Sequence, residues 1–338
     1  MCSNQEEIGA WLVRTCGLVA PLTHEQIAGG LSNVTTLVTD ATGRQVVVRR
    51  PPSGSHTGGA HDVLREARIM RSLAATDVPV PAVVAACDDD AIAGRPFYVM
   101  EHVRGTVVDS PDVLAKLRPE ARWRLGLELM DLLAALQHVD VEAVGLSELR
   151  RSTPYLDRQL RRWKSQWAVN ATRSLPIVDR VTERLEKVLP TLPARRDRLV
   201  HGDFRFGNVM IGSGGSPRVE ALLDWELATT GHPLADLGFV GGRMSAPDGV
   251  LAGDADPSSA AGCPDFETLV RRFESLTGEP AGEVPVFVAL SAWRWAIIVE
   301  GVHKRFAAGR MGEVAEDADW HRSRVELLAR LALDWLDR

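Results

Sequence analysis

Cysteine is scarce and scattered in this chain. Its 338 residues hold four, at Cys2, Cys16, Cys87 and Cys263, and no two make a C-x-x-C pair. That excludes a disulfide framework and a cysteine-based zinc site and sets the expectation of a reducing, intracellular setting. A secretory leader needs a basic stretch and then an apolar one. The opening MCSNQEEIGAW puts acidic residues there instead. No uncharged apolar run reaches the roughly 18 residues of a spanning helix. The most apolar C-terminal segment, Ala292 to Val302, is broken by Arg294 and Glu300. The chain is therefore expected to be cytoplasmic, with no membrane partner. An excess of positive charge is also missing. Lys and Arg total 39 against 45 Asp and Glu, a net charge of −6, so nucleic acid is not an expected partner. No internal repeat or heptad array is present. One biased tract stands out, SAPDGVLAGDADPSSAAGCP at 245–264.

What remains is ordinary globular material, 45% apolar and 25% charged, long enough for one large or two modest domains. The stretch 199–226, LVHGDFRFGNVMIGSGGSPRVEALLDWE, organises it. A short apolar entry runs into the polar loop His201 to Asn208. Val209 to Ile211 and Val219 to Leu223 are strand candidates, and the Gly/Ser/Pro tract between them is a dense turn signal. Two apolar runs joined in this way predict a hairpin. Antiparallel pairing then returns Asp224 to the end from which Asn208 departs. Asp203, five positions before Asn208 (208 − 203), lies in the loop at that same end. Two carboxylates and an amide oxygen converge, a hard-oxygen set suited to Mg²⁺ on phosphates.

The pattern H-G-D-x-x-x-x-N, followed by a hairpin and an Asp, resembles the catalytic loop and metal site of the aminoglycoside phosphotransferase family, which shares the protein-kinase-like fold. The resemblance implies an α+β, two-lobe architecture. Residues 1–103 would form a small antiparallel-sheet nucleotide-binding lobe, and 104–338 a mostly helical lobe with the catalytic loop and acceptor site. It further implies that Asp203 is the catalytic carboxylate and that Asn208 and Asp224 are the metal ligands. ATP or GTP with Mg²⁺ would be the cofactors, and a small-molecule hydroxyl the acceptor. Asp224-Trp225-Glu226 stands where protein kinases have Asp-Phe-Gly, which keeps the ligand and alters the segment that switches in those enzymes.

The N-terminal third reads in the same frame. Residues 4–15 carry Ile8, Trp11 and Leu12 at helical spacing. Gln26 to Thr39 reads as strand, glycine turn and strand, with Gly29, Gly30, Ser32 and Asn33 placed to cover nucleotide phosphates through backbone N–H groups. A third strand, Gln45 to Arg50, ends in two arginines. By the resemblance Arg49 takes the place of the phosphate-gripping lysine, with Arg50 the rival on the opposite face. A helix over 60–74 brings Glu66 as the partner of that cation. Strands follow at 82–87 and 96–103, with Asp88-Asp89-Asp90 as an exposed acidic turn between them. Met100 to Val103 resembles a hinge that reads adenine through the backbone of Glu101 and Val103.

Beyond residue 103 helix dominates, at 119–138, 155–171, 177–189, 266–277, 286–308 and 318–336, with another opening near Gly231. Trp163 and Trp167, four apart, read as core, and so do Trp293, Trp295, Trp320 and Trp335. Asp236 is expected to brace the catalytic loop and His201 to shape it. The 245–264 tract reads as a mobile loop, either a substrate lid or slack. The text VVVRRPP, REARIM, DVPVP and HGDFRFGN is similar to a branch of the family that occurs as kinase-like domains of acyl-CoA dehydrogenases, whose kinases act on hydroxyacyl-CoA. An aminoglycoside or another metabolite alcohol is an equally open acceptor. A catalytically silent nucleotide-binding module is the competing reading, prompted by Arg49 in place of lysine. Oligomeric state is not written in the sequence.

Overall fold

The structure is a computed structural model and describes residues 2–27, 33–52, 62–213, 217–251, 256–308 and 318–338. Gly29, Gly30 and Ser32 lie outside the described residues, as does most of the loop that leads to the helix expected over 60–74.

Five strands form one antiparallel sheet in the order β1-β2-β3-β5-β4. They are β1 (Thr23–Gln26), β2 (Val34–Thr39), β3 (Gln45–Arg50), β4 (Val83–Cys87) and β5 (Phe97–Glu101). β1 therefore ends where the sequence reading began it. Asp40 closes the β2–β3 turn by accepting from the Thr42 and Arg44 amides at 2.8 and 2.9 Å. The two faces of β3 are used differently. Val46 and Val48 pack with Val38, Phe97 and Val99 against α1 (Cys2–Cys16), where Trp11 meets Phe97 edge-on at 4.9 Å. Alternation sends Arg49 to the other face, beside Tyr98, its cross-strand partner on β5. That face meets α2 (Val63–Leu73), whose N-terminus is capped by Asp62, accepting from Arg65 N at 2.9 Å. The acidic run at 88–90 is not a plain turn. Asp89 caps a short helix, α3 (Asp90–Ala93), by accepting from Ala91 N at 2.9 Å.

The rest is built on helices: α4 (Pro111–Ala115), α5 (Pro119–His138), α6 (Tyr155–Asn170), α7 (Pro176–Val188), α8 (Ala235–Ser245), α9 (Phe266–Thr277), α10 (Val284–Ala307) and α11 (Ala318–Leu336). Proline at the first turn starts several of them, where its missing N–H costs nothing. Three short strands form a second sheet in the order β6-β8-β9: β6 (Thr106–Val107), β8 (Val209–Ile211) and β9 (Val219–Leu222). β7 (Arg198–Val200) pairs with β10 (Thr229–Gly231). Neither β6 nor the β7–β10 ribbon was legible in the sequence, because such short strands carry no measurable alternation.

One continuous apolar cluster runs from α2 and Tyr98 through α5 and the hairpin to α10 and α11. Among the described residues α10 alone is long and apolar enough to cross a bilayer by composition, yet 72% of its most apolar window is buried in this cluster. Trp163, Trp293 and Trp335 are buried as expected, whereas Trp320 is exposed. The second half of the 245–264 tract is tied down. Asp256 accepts from Arg243 Nε at 2.8 Å, and Arg122 donates to the Ala261 carbonyl.

Candidate active site

β7 delivers Leu199 and Val200 into the core, His201 stays buried, and the chain turns outward at Gly202 and Asp203. Both oxygens of the buried Asp236, at the start of α8, accept backbone N–H groups of this turn. His201 N donates to Oδ2 at 2.7 Å and Gly202 N to Oδ1 at 2.9 Å. Burial pushes the Asp236 carboxyl up, with His201 and the two amides opposing that rise. The His201 ring is fixed at both nitrogens. Nε2 donates to the Leu223 carbonyl at 2.9 Å, and Nδ1 accepts from Asp203 N at 3.3 Å. The ring lies edge-on to Trp225 at 4.8 Å. Gly202 has φ +87°, and a Cβ there would sit 2.8 Å from the Leu227 carbonyl oxygen, so only glycine fits. Asp236 and His201 therefore hold the loop by hydrogen bonds.

Asp203 emerges from this frame with 21% of its side chain exposed. Asn208 Nδ2 donates to its carbonyl at 2.7 Å and to its Oδ2 at 2.8 Å. Arg205 Nε lies 3.2 Å from the same Oδ2. Sequence reasoning passed over Arg205. The signal was Gly207, where a Cβ would collide with the Arg205 guanidinium. With both amide hydrogens turned to Asp203, Asn208 keeps Oδ1 for another partner.

The hairpin closes as the sequence implies. Val209 faces Leu222 across β8 and β9, and Leu223 N donates to the Asn208 carbonyl at 2.8 Å. Asp224 follows immediately. It alone among the described non-glycine residues has positive φ, 67° with ψ 66°, a left-handed conformation that costs about 1–2 kcal/mol. Such strain persists where the surroundings enforce it. The next residues form a 3₁₀ turn, Trp225–Leu227, with the indole buried. Arg65 of α2 clasps this turn, donating to the Glu226 carbonyl at 3.1 Å and to the Ala228 carbonyl.

From the small sheet, Arg49 crosses to the same point. Its Nε is 3.0 Å from Glu66 Oε2 and its Nη2 is 2.5 Å from Asp224 Oδ1. Glu66 also accepts from Asn33 Nδ2 at 3.0 Å and from the Tyr98 hydroxyl at 3.2 Å. Burial pushes the Glu66 carboxyl up, to about 7, against the pull of Arg49. Burial also works against the Arg49 charge, but Glu66, Tyr98 and Asp224 outweigh it, and the guanidinium stays protonated. Arg50 makes no ion pair among the described residues. At the expected hinge, Glu101 N donates to the Ala82 carbonyl at 2.8 Å and Glu101 Oε1 takes Arg44 at 2.7 Å. That leaves Glu101 its backbone carbonyl for a base. The Val103 amide has no partner among the described residues.

The candidate donor set is Asn208 Oδ1 with the Asp224 carboxylate, 27% exposed. Both are hard oxygens, and Arg49 already demonstrates that this carboxylate attracts a cation. The set fits Mg²⁺ bound mainly by phosphates and water.

Comparison with known proteins identifies the family and the fold. A model of the phosphotransferase enzyme family matches residues 23–269. The chain is 34% identical to mouse acyl-CoA dehydrogenase family member 10 over 319 residues, 93% of this chain. It spans only 29% of that relative's length. The crystal structure of a candidate aminoglycoside phosphotransferase from Ralstonia eutropha is 31% identical, with a TM-score of 0.81 and 98% of each chain covered. An aminoglycoside phosphotransferase crystallised with AMP-PNP and hygromycin B has the same fold at 18% identity, with a TM-score of 0.63 and coverage of 96% of this chain and 98% of that one. With the two-lobed kinase-like architecture, this match over most of its length settles descent: the chain belongs to the phosphotransferase enzyme family.

Proposed function

We propose that this protein moves the γ-phosphoryl group of ATP or GTP to a hydroxyl of a small cytoplasmic metabolite, in a Mg²⁺-dependent reaction. Residues 1–103 would serve as the nucleotide lobe and 104–338 as the acceptor lobe. In this reading Asp203 accepts the hydrogen bond of the acceptor hydroxyl and takes its proton on a carboxylate oxygen. The acceptor oxygen forms a bond to the γ-phosphorus as the bond from that phosphorus to the β-bridging oxygen breaks, and the nucleoside diphosphate leaves. Asn208 and Asp224 hold Mg²⁺, which when bound offsets charge on the phosphates. Arg49, oriented by Glu66, grips phosphate oxygens with its planar fork. Asn33, Gly29, Gly30 and Ser32 cover the phosphates, and the Glu101 carbonyl and Val103 amide read the base.

The observation that carries this reading is a pair of hydrogen-bonded couples at one end of the hairpin, Asp203 with Asn208 and Arg49 with Asp224, brought there as Leu223 N donates to the Asn208 carbonyl. For the acceptor, the relationship to acyl-CoA dehydrogenase family members supports a hydroxyacyl-CoA. Neighbours of the same fold crystallised with kanamycin or hygromycin B support an aminoglycoside. Turnover of Mg–ATP against hydroxyacyl-CoA, aminoglycoside and simple alcohol acceptors tests it. Transfer to one class, abolished in Asp203→Ala, is the expected result. Binding of Mg–ATP with no transfer to any acceptor, unchanged in Asp203→Ala, would instead mark a silent nucleotide-binding module.

A further inference from the structure

α2 packs on β4 and β5 and also meets the 3₁₀ turn Trp225–Leu227. Arg65 makes that second junction polar. Its guanidinium donates to the Glu226 carbonyl at 3.1 Å and to the Ala228 carbonyl. The carbonyl between them, on Leu227, is turned instead to the catalytic loop, 2.8 Å from where a Cβ on Gly202 would sit. Three successive carbonyls are thus divided between α2 and the loop. Asp224 stands at the head of the same turn.

Arg65 does nothing for the helix that carries it. It is the third residue of α2, where the positive end of the helix dipole disfavours a cation. Burial works against its charge as well, and Arg151 and Arg68 add to that while Asp62 and Glu148 oppose it, so its pKa is lowered. The partners of its guanidinium are main-chain oxygens rather than a carboxylate. The end of a helical turn leaves carbonyls without internal partners, and a rigid guanidinium fork can take two of them at once. Arg68, on the same helix, reaches Glu148 at 3.1 Å, but both side chains are exposed and such a pair holds little.

The next residue along the helix is Glu66, about 100° further around the axis. Its Oε2 lies 3.0 Å from Arg49 Nε, and Arg49 Nη2 reaches Asp224 Oδ1 at 2.5 Å. Two adjacent residues of α2 therefore lead to Asp224 by separate routes. Arg65 leads there through the main chain of the turn, and Glu66 through Arg49. The turn has anchors of its own. His201 Nε2 donates to the Leu223 carbonyl at 2.9 Å, and the buried Trp225 indole donates to the Leu222 carbonyl at 3.1 Å. What Arg65 adds is the tie between this fixed turn and α2.

We propose that Arg65 is a positioning residue for phosphoryl transfer, which docks α2 on the Asp224 turn and so sets where Glu66 places the Arg49 guanidinium. It touches neither nucleotide nor acceptor. The inference rests on the phosphotransferase reading above and deepens it, by adding the contact that joins the phosphate-gripping cation to the metal-holding turn. Without Arg65 the turn stays in place, and α2 shifts against it with Arg49.

The test is a double-mutant cycle on the full chain, with Mg–ADP affinity read by calorimetry at a temperature where circular dichroism shows every variant folded. Arg65→Ala should weaken Mg–ADP about fivefold in the wild-type background and less than about twofold in Arg49→Ala, the non-additivity of residues that act through one another. Arg65→Lys, which can reach one carbonyl, should fall between wild type and alanine; it carries the same comparison if Arg65→Ala does not fold. Equal Mg–ADP affinity in wild type and the Arg65 variants overturns the proposal and leaves Arg65 a stability residue. An equal loss in both backgrounds also overturns it, because Arg65 would then act on nucleotide without Arg49. The readout is binding, so it stands apart from turnover. A protein that transfers phosphate but shows no coupling loses the role of Arg65 alone. One that shows the coupling yet transfers phosphate to no acceptor loses the kinase assignment, and Arg65 then positions a nucleotide-binding site.

Discussion

Arg49 joins two carboxylates from different parts of the chain, with Glu66 Oε2 at 3.0 Å from its Nε and Asp224 Oδ1 at 2.5 Å from its Nη2. The cation proposed to hold phosphate thus also touches the carboxylate proposed to hold metal. Arg49→Ala removes a charge-assisted contact of about 1.5–3 kcal/mol, so the KM for nucleotide should rise by roughly tenfold or more. Arg49→Lys should fall between, because an ammonium is a point charge without the fork. Steady-state kinetics with nucleotide varied at saturating acceptor distinguish the three proteins, and an unchanged KM in Arg49→Ala would remove this residue from the phosphate site.

Asp203 carries little of the fold. Its side chain is partly exposed, and it is held by Asn208 and Arg205. Asp203→Asn should therefore lower kcat by about 10²–10⁴-fold, the range of general base catalysis. Tm and Mg–ADP affinity should stay as in the wild type. A variant with near-normal kcat would move the base elsewhere, and a large fall in Tm would make Asp203 structural.

Glu66 gives a pH dependence with a definite sign. Its carboxyl, at about 7 in the folded protein against 4.5 ordinarily, binds a proton in the native state between those values while the unfolded chain has lost it. Its stabilising contribution is complete below pH 4.5 and is lost as pH rises through 7. Glu66→Gln, which mimics the protonated form, should have a Tm close to the wild type at pH 5 and above it at pH 8. Activity should run the other way, because the Arg49 fork is oriented by the ionised carboxylate. Wild-type turnover should fall as pH drops through 7, and this inflection should vanish in Glu66→Gln. A Tm difference that does not change with pH would contradict the assignment.

How much of this could be read from the chain depended on how local the cause was. Helices over 119–138, 266–277 and 318–336 match α5, α9 and α11 because their apolar periods are local, as are the Pro119 start of α5 and the Gly278 stop of α9. The hairpin was legible because turn residues and strand direction alone bring Asp224 back to Asn208. The choice between Arg49 and Arg50 needed the packing of β3, since only the structure says which face α1 covers. Arg65 was invisible for a different reason. It lies 161 residues from Glu226 in sequence, and a contact to main-chain carbonyls leaves no trace in residue type. Arg205 was written inside the motif, but its contact with Asp203 depends on the space left at Gly207.

Gly202 sits where no other residue is comfortable. Its φ of +87° is unfavourable for any L side chain, and a Cβ would press within 2.8 Å of the Leu227 carbonyl. Gly202→Ala should destabilise the protein by about 1–3 kcal/mol and push the loop away from Asp236. Chemical denaturation and kcat should both report the change. The same substitution at Gly145, also at positive φ but with open space around it, should cost less. Equal costs at the two sites would mean that backbone strain alone, rather than the Leu227 contact, sets the penalty.

Asp236 acts on the reaction through the loop, as a positioning residue. Its two oxygens each take one backbone N–H, from His201 at 2.7 Å and Gly202 at 2.9 Å, and the side chain is 1% exposed. Asp236→Ala leaves two buried donors unsatisfied, at about 1–3 kcal/mol for each. Asp236→Asn keeps one acceptor and sets an amide N–H₂ against the other donor, so it should be milder in Tm. Both should lower kcat more than they raise the KM for nucleotide, because Arg49 and Glu66 stand on other elements. The reading that separates positioning from general instability is amide hydrogen exchange. His201 and Gly202 should be protected in the wild type and exchange faster in Asp236→Asn, while amides of β3 and β5 keep their protection. Faster exchange across the whole protein, with kcat reduced only in proportion to the unfolded fraction, would reduce Asp236 to a stability residue.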